Sequence, residues 1–496
     1  MNKPSESNHE ICNEVASSKL SFVDICLHLS VFFVLFFSFC ISVRDAKNLS
    51  YILFFIQISL FYLILIKKNR VALFFLTPIM LFIAYVDISF GLGNFAYSHG
   101  IYVYETNYND YRNWMHTNVL TAYVLFTNTI LFYIDSVFHK SYCQLLNKVK
   151  SVWIKPSVEK AYIAISFLLF IFFYFVPFNV SFLGGSGSMS SVPKTISALN
   201  IIYLAAYKQI RYRFILYFMI MLLFATFSYE SKREAMFFVF PVLLLESVLN
   251  FKRVNYKIVG YTICLTVLSV FLIIAMSLMR GYGQYLETGS SIMQALPYVF
   301  EYLGSELFLS YFFLNIETTY TYFHSMQAME YLIRDPNLLL YGSSTFKFLF
   351  ITIPSSICDI KPKSVIHLYT MLRNPNFRRA GGSWPPNLYA EMLWNFYFIA
   401  PIIISVFFCV YNFVFMRLLE KVVSGSMLRW TWLLYAYMNF IMYARGSGFE
   451  MYLIYIIFAV FFTIIVFGSI DILRLGNAST REYKRSSYLL RKKSYN

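Results

Sequence analysis

Apolar runs of about 15 to 25 residues, each closed by charged or turn-forming residues, recur along almost the whole chain, and that is the length a helix needs to cross hydrocarbon. They fall near 22–43, 50–66, 71–91, 118–136, 161–179, 193–209, 214–229, 235–250, 257–279, 394–418, 428–444 and 450–470. The pattern predicts an all-α polytopic membrane protein with about twelve transmembrane helices, since only closed backbone hydrogen bonding is tolerated in lipid. The interval 280–393 has no clear run of this kind and is expected to form one large loop between the ninth and tenth helices. The domain layout is then a tail 1–21, helices one to nine over 22–279, the loop 280–393 with amphipathic helices, helices ten to twelve over 394–470, and a basic tail 471–496.

Charge orients this layout. With the N-terminus inside, the inner loops hold Lys67, Lys68 and Arg70, then Lys140, Lys148, Lys150, Lys155 and Lys160. Further inner groups are Lys208, Arg211 and Arg213, then Lys252, Arg253 and Lys257, then Lys421 and Arg429, followed by the basic tail. The short outer loops hold Arg44, Lys47, Arg112 and Lys194. This alternation predicts both termini cytoplasmic and the 280–393 loop on the outer face.

Composition agrees with lipid as the main solvent: the chain of 496 residues is 58% hydrophobic and 13% charged. The net charge of +16 could suggest nucleic acid. Its cations, however, fall in short loops and the tail, as anchoring against anionic lipid requires, so no nucleic-acid partner is expected. The seven cysteines show no Cys-x-x-Cys and only Cys358 falls in the long loop, so neither a disulfide framework nor a zinc site is expected there. The first apolar run is long enough to stay as a spanning helix, and no small-residue cleavage pattern follows it.

The outer stretch 92–117 is rich in Tyr, Asn and Trp and is expected to form an interface belt rather than a sugar platform. The Gly/Ser-rich stretch 181–192 suits a flexible turn or a re-entrant piece. In the long loop, amphipathic runs over 281–335 are expected along the membrane surface. The remainder, with Lys347, Arg373, Arg378, Arg379, a Gly-Gly pair and Trp384-Pro-Pro, is expected to be irregular and ligand-facing. His324 and His367 have the chemistry of a base, but a lone loop histidine is expected in solvent.

Four places combine charge with a position near the membrane. Tyr229 to Glu234 turns between two runs that leave no length for it to rise clear of the bilayer. Its charges therefore face one another or a wet cavity, and Arg233 with Lys232 beside it could meet a phosphate. Arg280 ends the ninth run, either snorkelling to the interface or closing on an anion. Arg445, in Tyr-Ala-Arg-Gly-Ser-Gly, sits at another short hairpin, with Glu450 as a candidate ion partner. In Gly381 to Glu391, Asn387 is placed to cap a helix after Pro-Pro, and Glu391 falls one turn inside it. That carboxylate is equally placed to act as a general base for a sugar hydroxyl. No Gly-x-Ser-x-Gly, His-Glu-x-x-His, Walker loop or Gly-x-Gly-x-x-Gly is present.

Many spans, a large late outer loop, the Ser-Lys-Arg-Glu-Ala turn at 231–235, Arg280 and the Pro385–Glu391 segment together resemble the Wzy-type oligosaccharide repeat-unit polymerases of O-antigen and capsule, relatives of the O-antigen ligases. The resemblance covers most of the chain by layout and these short stretches by residue. Ligases carry a histidine in the re-entering segment where Pro386 and Asn387 stand here, which favours the polymerase. The arginine-to-glycine spacing described for polymerase outer loops is not clearly present after Arg280.

The resemblance implies inverting, metal-independent and cofactor-free glycosyl transfer at the periplasmic face of a bacterial inner membrane. A growing glycan would leave undecaprenyl diphosphate for a new lipid-linked repeat unit, with a chain-length regulator and a flippase as pathway partners. It implies Arg233 and Arg280 as catalytic diphosphate binders, Arg445 as a further substrate contact and Glu391 or a nearby group as the base, while Lys232, Asn387, Arg378, Arg379 and Trp384 are candidate substrate contacts by their places in these stretches. The main rival is a twelve-helix transporter such as a lipid-linked glycan flippase, although related halves would be expected there and the long loop instead divides the helices nine and three. A cation-dependent glycosyltransferase would want outer carboxylates early in the chain, where only Asp45 stands.

Overall fold

The structure is a computed structural model that describes residues 21–67, 77–102, 110–137, 156–176, 191–227, 238, 241–242, 245–246, 256–279, 281, 285–287, 290–350, 353, 361–423 and 427–467. Lys232, Arg233, Arg280, the stretch 181–190, both tails and most of the run 235–250 lie outside the described residues. Those described are helical or irregular, with no strand among them.

Before the long loop run α1 (Phe22–Cys40), α2 (Val43–Lys67), α3 (Pro78–Ser98), α4 (Thr117–Val137), α5 (Pro156–Phe175), α6 (Ser191–Tyr207), α7 (Arg213–Phe227) and α8 (Tyr256–Met279). Each overlaps one of the apolar runs read from the sequence, with α3 carried on to Ser98, beyond the run at 71–91. Five described helical segments are long and apolar enough to cross a membrane: α1 to α4 and the stretch Leu388–Val414. Their burial separates centre from rim. Of the apolar window in α3, 78% is buried inside the protein, against 17% in α1. α1 instead turns Phe32, Phe33, Phe36 and Phe39 outward, as a lipid-facing helix does.

Local chemistry sets the helix starts. Thr77 accepts the Met80 amide at 3.1 Å, and Pro78 stands in the first turn of α3, where its missing N–H costs no hydrogen bond. The Thr77 hydroxyl also donates to Asp135 at 2.9 Å, tying α3 to the end of α4. Inside the bundle, polar side chains hold helix pairs together where water cannot. Gln57 of α2 donates to the Leu125 carbonyl at 2.8 Å and to the Thr129 hydroxyl at 3.0 Å in α4. Arg213, assigned to an inner basic loop by its position, grips buried Glu246 with two nitrogens at 2.7 and 3.0 Å, while Tyr217 donates to the same carboxylate at 2.7 Å.

The long loop is more helical than its sequence suggests. It contains α9 (Ile292–Ala295), α10 (Val299–Leu303), α11 (Phe308–Asn315), α12 (Thr318–Arg334), α13 (Val365–Arg373) and α14 (Pro375–Arg379). α9 to α11 carry exposed Met293, Phe300, Leu303 and Leu309, the outward apolar surface expected of helices on a membrane. α12 departs from that expectation. Thirteen of its residues are buried, because it lies against the end of α3 rather than on a surface. Gly93 permits the approach: a Cβ there would stand 2.3 Å from Tyr322 Cβ and 2.7 Å from the Thr318 carbonyl oxygen.

The aromatic stretch predicted as an interface belt is drawn inward by the same packing. Tyr97, Tyr111 and Trp114 are buried, and each lies in ring contact with Tyr322 of α12. Glu330 near the other end of α12 accepts the Met115 amide at 2.9 Å and Arg334 Nε at 2.8 Å. Tyr97, Tyr111 and Trp114 of that stretch are therefore core against α12.

After the loop come α15 (Leu388–Phe396), α16 (Ala400–Val423), α17 (Met427–Met442) and α18 (Phe449–Phe462). The run predicted at 394–418 is divided. α15 is a short helix, and the chain breaks at Tyr397, with φ 51°, before α16 begins.

Candidate functional site

α15 carries the site. Asn387 caps it, its side-chain oxygen accepting the Ala390 amide at 3.1 Å, as the Pro-Pro-Asn sequence predicts. Every residue from Leu388 to Asn395 is buried, Glu391 among them, although a nine-residue helix of this kind is usually amphipathic. The burial comes from contacts on several sides. The Asn387 amide donates to Ser325 Oγ of α12 at 3.0 Å, and Trp394 Nε1 donates to the Ala328 carbonyl at 2.7 Å. Tyr389 donates to Asn128 of α4, which donates in turn to Asp87 of α3 at 2.6 Å. Tyr443 lies close enough to Glu391 to feel its charge.

The second wall is a turn of π-helix, Tyr443–Ser447, between α17 and α18. Gly446 adopts φ +137° there, and a Cβ on it would stand 2.6 Å from the Pro386 carbonyl oxygen. The turn is thus pressed against the backbone that leads into α15. Arg445 is buried in the same turn and pairs with Glu317, which precedes α12 in the left-handed region at φ 62°. The sequence offered Glu450 as its acid. The partner is a residue from the far side of the loop, brought in because α12 folds back over the membrane helices. A guanidinium and a carboxylate distant in sequence so meet here.

The third wall is aromatic and basic. Trp384 stacks on Phe377 with ring centroids 4.5 Å apart and on His324 at 5.4 Å. The Arg373 guanidinium lies 5.1 Å from the Trp384 ring and 4.6 Å from Phe323, within cation–π range. Arg373 also donates to Gln327 and lies 3.6 Å from Asp110. The Tyr369 hydroxyl donates to the same Gln327 oxygen at 2.7 Å and meets His324 Nδ1 at 2.8 Å. With the phenol proton on Gln327, His324 donates from Nδ1 and keeps its lone pair on Nε2.

His324, expected in solvent, is buried. Burial, with Arg373 adding to it, pushes its imidazole well below the usual histidine range, and burial pushes the Tyr369 phenol well up. The half-buried His367 accepts from Arg378 Nε at 3.0 Å, and burial followed by the charge of Arg378 lowers its titration too. Arg378 also donates to the Gly382 carbonyl at 3.2 Å, while Arg379 is exposed and holds Asn376 at 3.4 Å. Within the stretch read as irregular and ligand-facing, 365–379 therefore forms two short helices, and Arg378 is turned onto the Gly-Gly turn.

Of the residues singled out by sequence, Glu391, Asn387, Trp384, Arg378 and Arg445 belong to this one region, and Arg379 lies at its exposed edge. Sequence reasoning did not find Glu317, His324, Gln327, Tyr369 or Arg373 as site residues. Their contacts span α12 and α13, and the spacing within either helix carries no sign of the other. Among the described residues, no group of three or more His, Cys, Asp or Glu is arranged to hold a metal ion. Comparison of the chain with protein-family models, with curated proteins and with solved structures gives no match.

Proposed function

We propose that the protein is a membrane glycosyltransferase that polymerises polyprenyl-diphosphate-linked oligosaccharide repeat units, acting at the outer face of a bacterial inner membrane. In this reading the twelve apolar runs span the bilayer, both termini are cytoplasmic, and the 280–393 loop roofs the site from the periplasm. The observation that carries it is Glu391, a buried carboxylate in a short helix that starts beneath Trp384 and Asn387. A carboxylate kept from bulk water suits the base that takes the proton of an acceptor sugar hydroxyl.

The chemistry is a single displacement. The acceptor hydroxyl gives its proton to Glu391 as its oxygen bonds to the anomeric carbon of the growing glycan. The bond from that carbon to the lipid diphosphate breaks, and the leaving diphosphate takes the electron pair. Arg233 and Arg280, the arginines implied by the family resemblance, neutralise the developing charge without reorganising. Arg445, already matched by Glu317, supports the floor of the site instead of meeting the phosphate. The lipid anchors hold both substrates at the membrane, which raises their effective concentration at the reacting pair.

The test is reconstitution of the full chain in proteoliposomes with a fluorescent polyprenyl-diphosphate oligosaccharide, the products being resolved on gels. A ladder of repeat multiples is expected, surviving EDTA and lost in Arg233→Ala, Arg280→Ala and Glu391→Gln. Translocation of the labelled lipid without elongation would replace the polymerase by a flippase.

A further inference from the structure

The middle of α3 holds a carboxyl group that no charge balances. Asp87 is fully buried, in a helix long and apolar enough to cross a membrane. Its Oδ1 accepts Asn128 Nδ2 of α4 at 2.6 Å, and its Oδ2 has no hydrogen-bond partner. Among the described residues α2, α4, α11, α12 and α17 pack on α3, and none of them brings a cation to Asp87. The titratable group beside it is the Tyr389 phenol of α15. A bare carboxylate held there, away from bulk water and without a counter-ion, is strongly disfavoured.

A second open oxygen lies at the same level. α2 and α3 run antiparallel: the Tyr51 amide donates to Asn94 Oδ1 at 3.0 Å, and the Phe54 ring meets Phe90 with centroids 5.7 Å apart. One further turn along each helix sets fully buried Gln57 level with Asp87. The Gln57 side-chain nitrogen donates to the Leu125 carbonyl at 2.8 Å and to the Thr129 hydroxyl at 3.0 Å. A carbonyl can only accept, so the Leu125 contact fixes which way the amide points, and Gln57 Oε1 is left without a donor. Two buried acceptors therefore stand level between α2, α3 and α4 with no hydrogen to share.

We infer that Asp87 and Gln57 form a proton-binding site in the middle of the membrane helices, with the proton on Asp87 Oδ2 and Gln57 Oε1 accepting from it. The proton comes from water; its binding forms the Oδ2–H bond, cancels the charge and satisfies both open oxygens at once. An alkali cation would need several oxygens in place of its water shell, and two open ones are too few. The site reaches beyond its own pair. Asn128, the donor to Asp87, accepts the Tyr389 hydroxyl, so loss of the proton would put a charge two hydrogen bonds from the helix that carries Glu391. The site does not depend on the polymerase reading, because it uses neither Glu391 nor the arginines assigned to catalysis.

The experiment is infrared spectroscopy of the full chain in phosphatidylcholine nanodiscs at neutral pH, with the wild type set against Asp87→Asn and Gln57→Leu. A C=O band of a protonated carboxyl group is expected in the wild type and absent from Asp87→Asn, whose amide can bond the same two neighbours. Gln57→Leu removes the acceptor and leaves the acid in place, so the band is expected to persist at higher frequency. That second variant reads the same pair without depending on the fold of the first. Unfolding in sodium chloride and in choline chloride is expected to show equal stability. A wild type without the band, a band unchanged in Asp87→Asn or one unmoved in Gln57→Leu would overturn the inference. Stability that rises with sodium and loses this dependence in Asp87→Asn would overturn it too, by replacing the proton with a metal cation.

Discussion

Glu317→Gln isolates the buried ion pair at the centre of the site. The substitution keeps the size of the side chain, and both residues meet the same backbone cost at φ 62°, so what changes is the charge facing Arg445. Arg445 is 2% exposed, with the phenols of Tyr85 and Tyr320 nearby rather than water. Leaving one member of a buried pair uncompensated costs about 3–5 kcal/mol, whereas replacing both with well-packed neutral groups is often close to neutral. Glu317→Gln and Arg445→Met are therefore each expected to destabilise by about 3 kcal/mol, and the double variant by much less than their sum. The coupling should exceed about 2 kcal/mol, well outside the scatter of independent sites. SDS-titration unfolding of the wild type, both single variants and the double variant in bicelles reads it directly. Additivity of the two single losses would mean that the pair does not hold the π-helical turn to the loop.

Gly93→Ala is expected to cost about 1–3 kcal/mol, because the new methyl must push Tyr322 and the Thr318 carbonyl away, and the same unfolding assay reads the loss. Asn387→Ala removes the cap of α15 and should cost about 1 kcal/mol, with faster amide exchange at Ala390 as its local signature. His324 titrates below its unfolded value, so the unfolded chain binds more protons as pH drops under the ordinary histidine range. Stability is therefore expected to fall as pH falls through and below about 6.5, and His324→Gln should flatten that slope; an unchanged slope would count against a buried neutral imidazole. His367 titrates in the same direction and remains as the residual slope in that variant.

Residue order alone determined the helices and one cap. Apolar run length is a local quantity, so α1 to α8, α17 and α18 overlap the runs read from the sequence, and Pro-Pro-Asn announces α15 because capping acts within one turn, whereas the break at Tyr397 that sets the start of α16 was not legible. Segment contacts were not legible. α12 reads as a surface helix because its sequence is only weakly apolar, yet Gly93 leaves room for it on α3. That single approach buries Tyr97, Tyr111 and Trp114, and α12 also carries His324 to Tyr369 and brings Glu317, at its start, to Arg445. A one-dimensional pattern records what each residue requires of its surroundings, low polarity or a counter-charge, while the packed chain decides which distant residue supplies it.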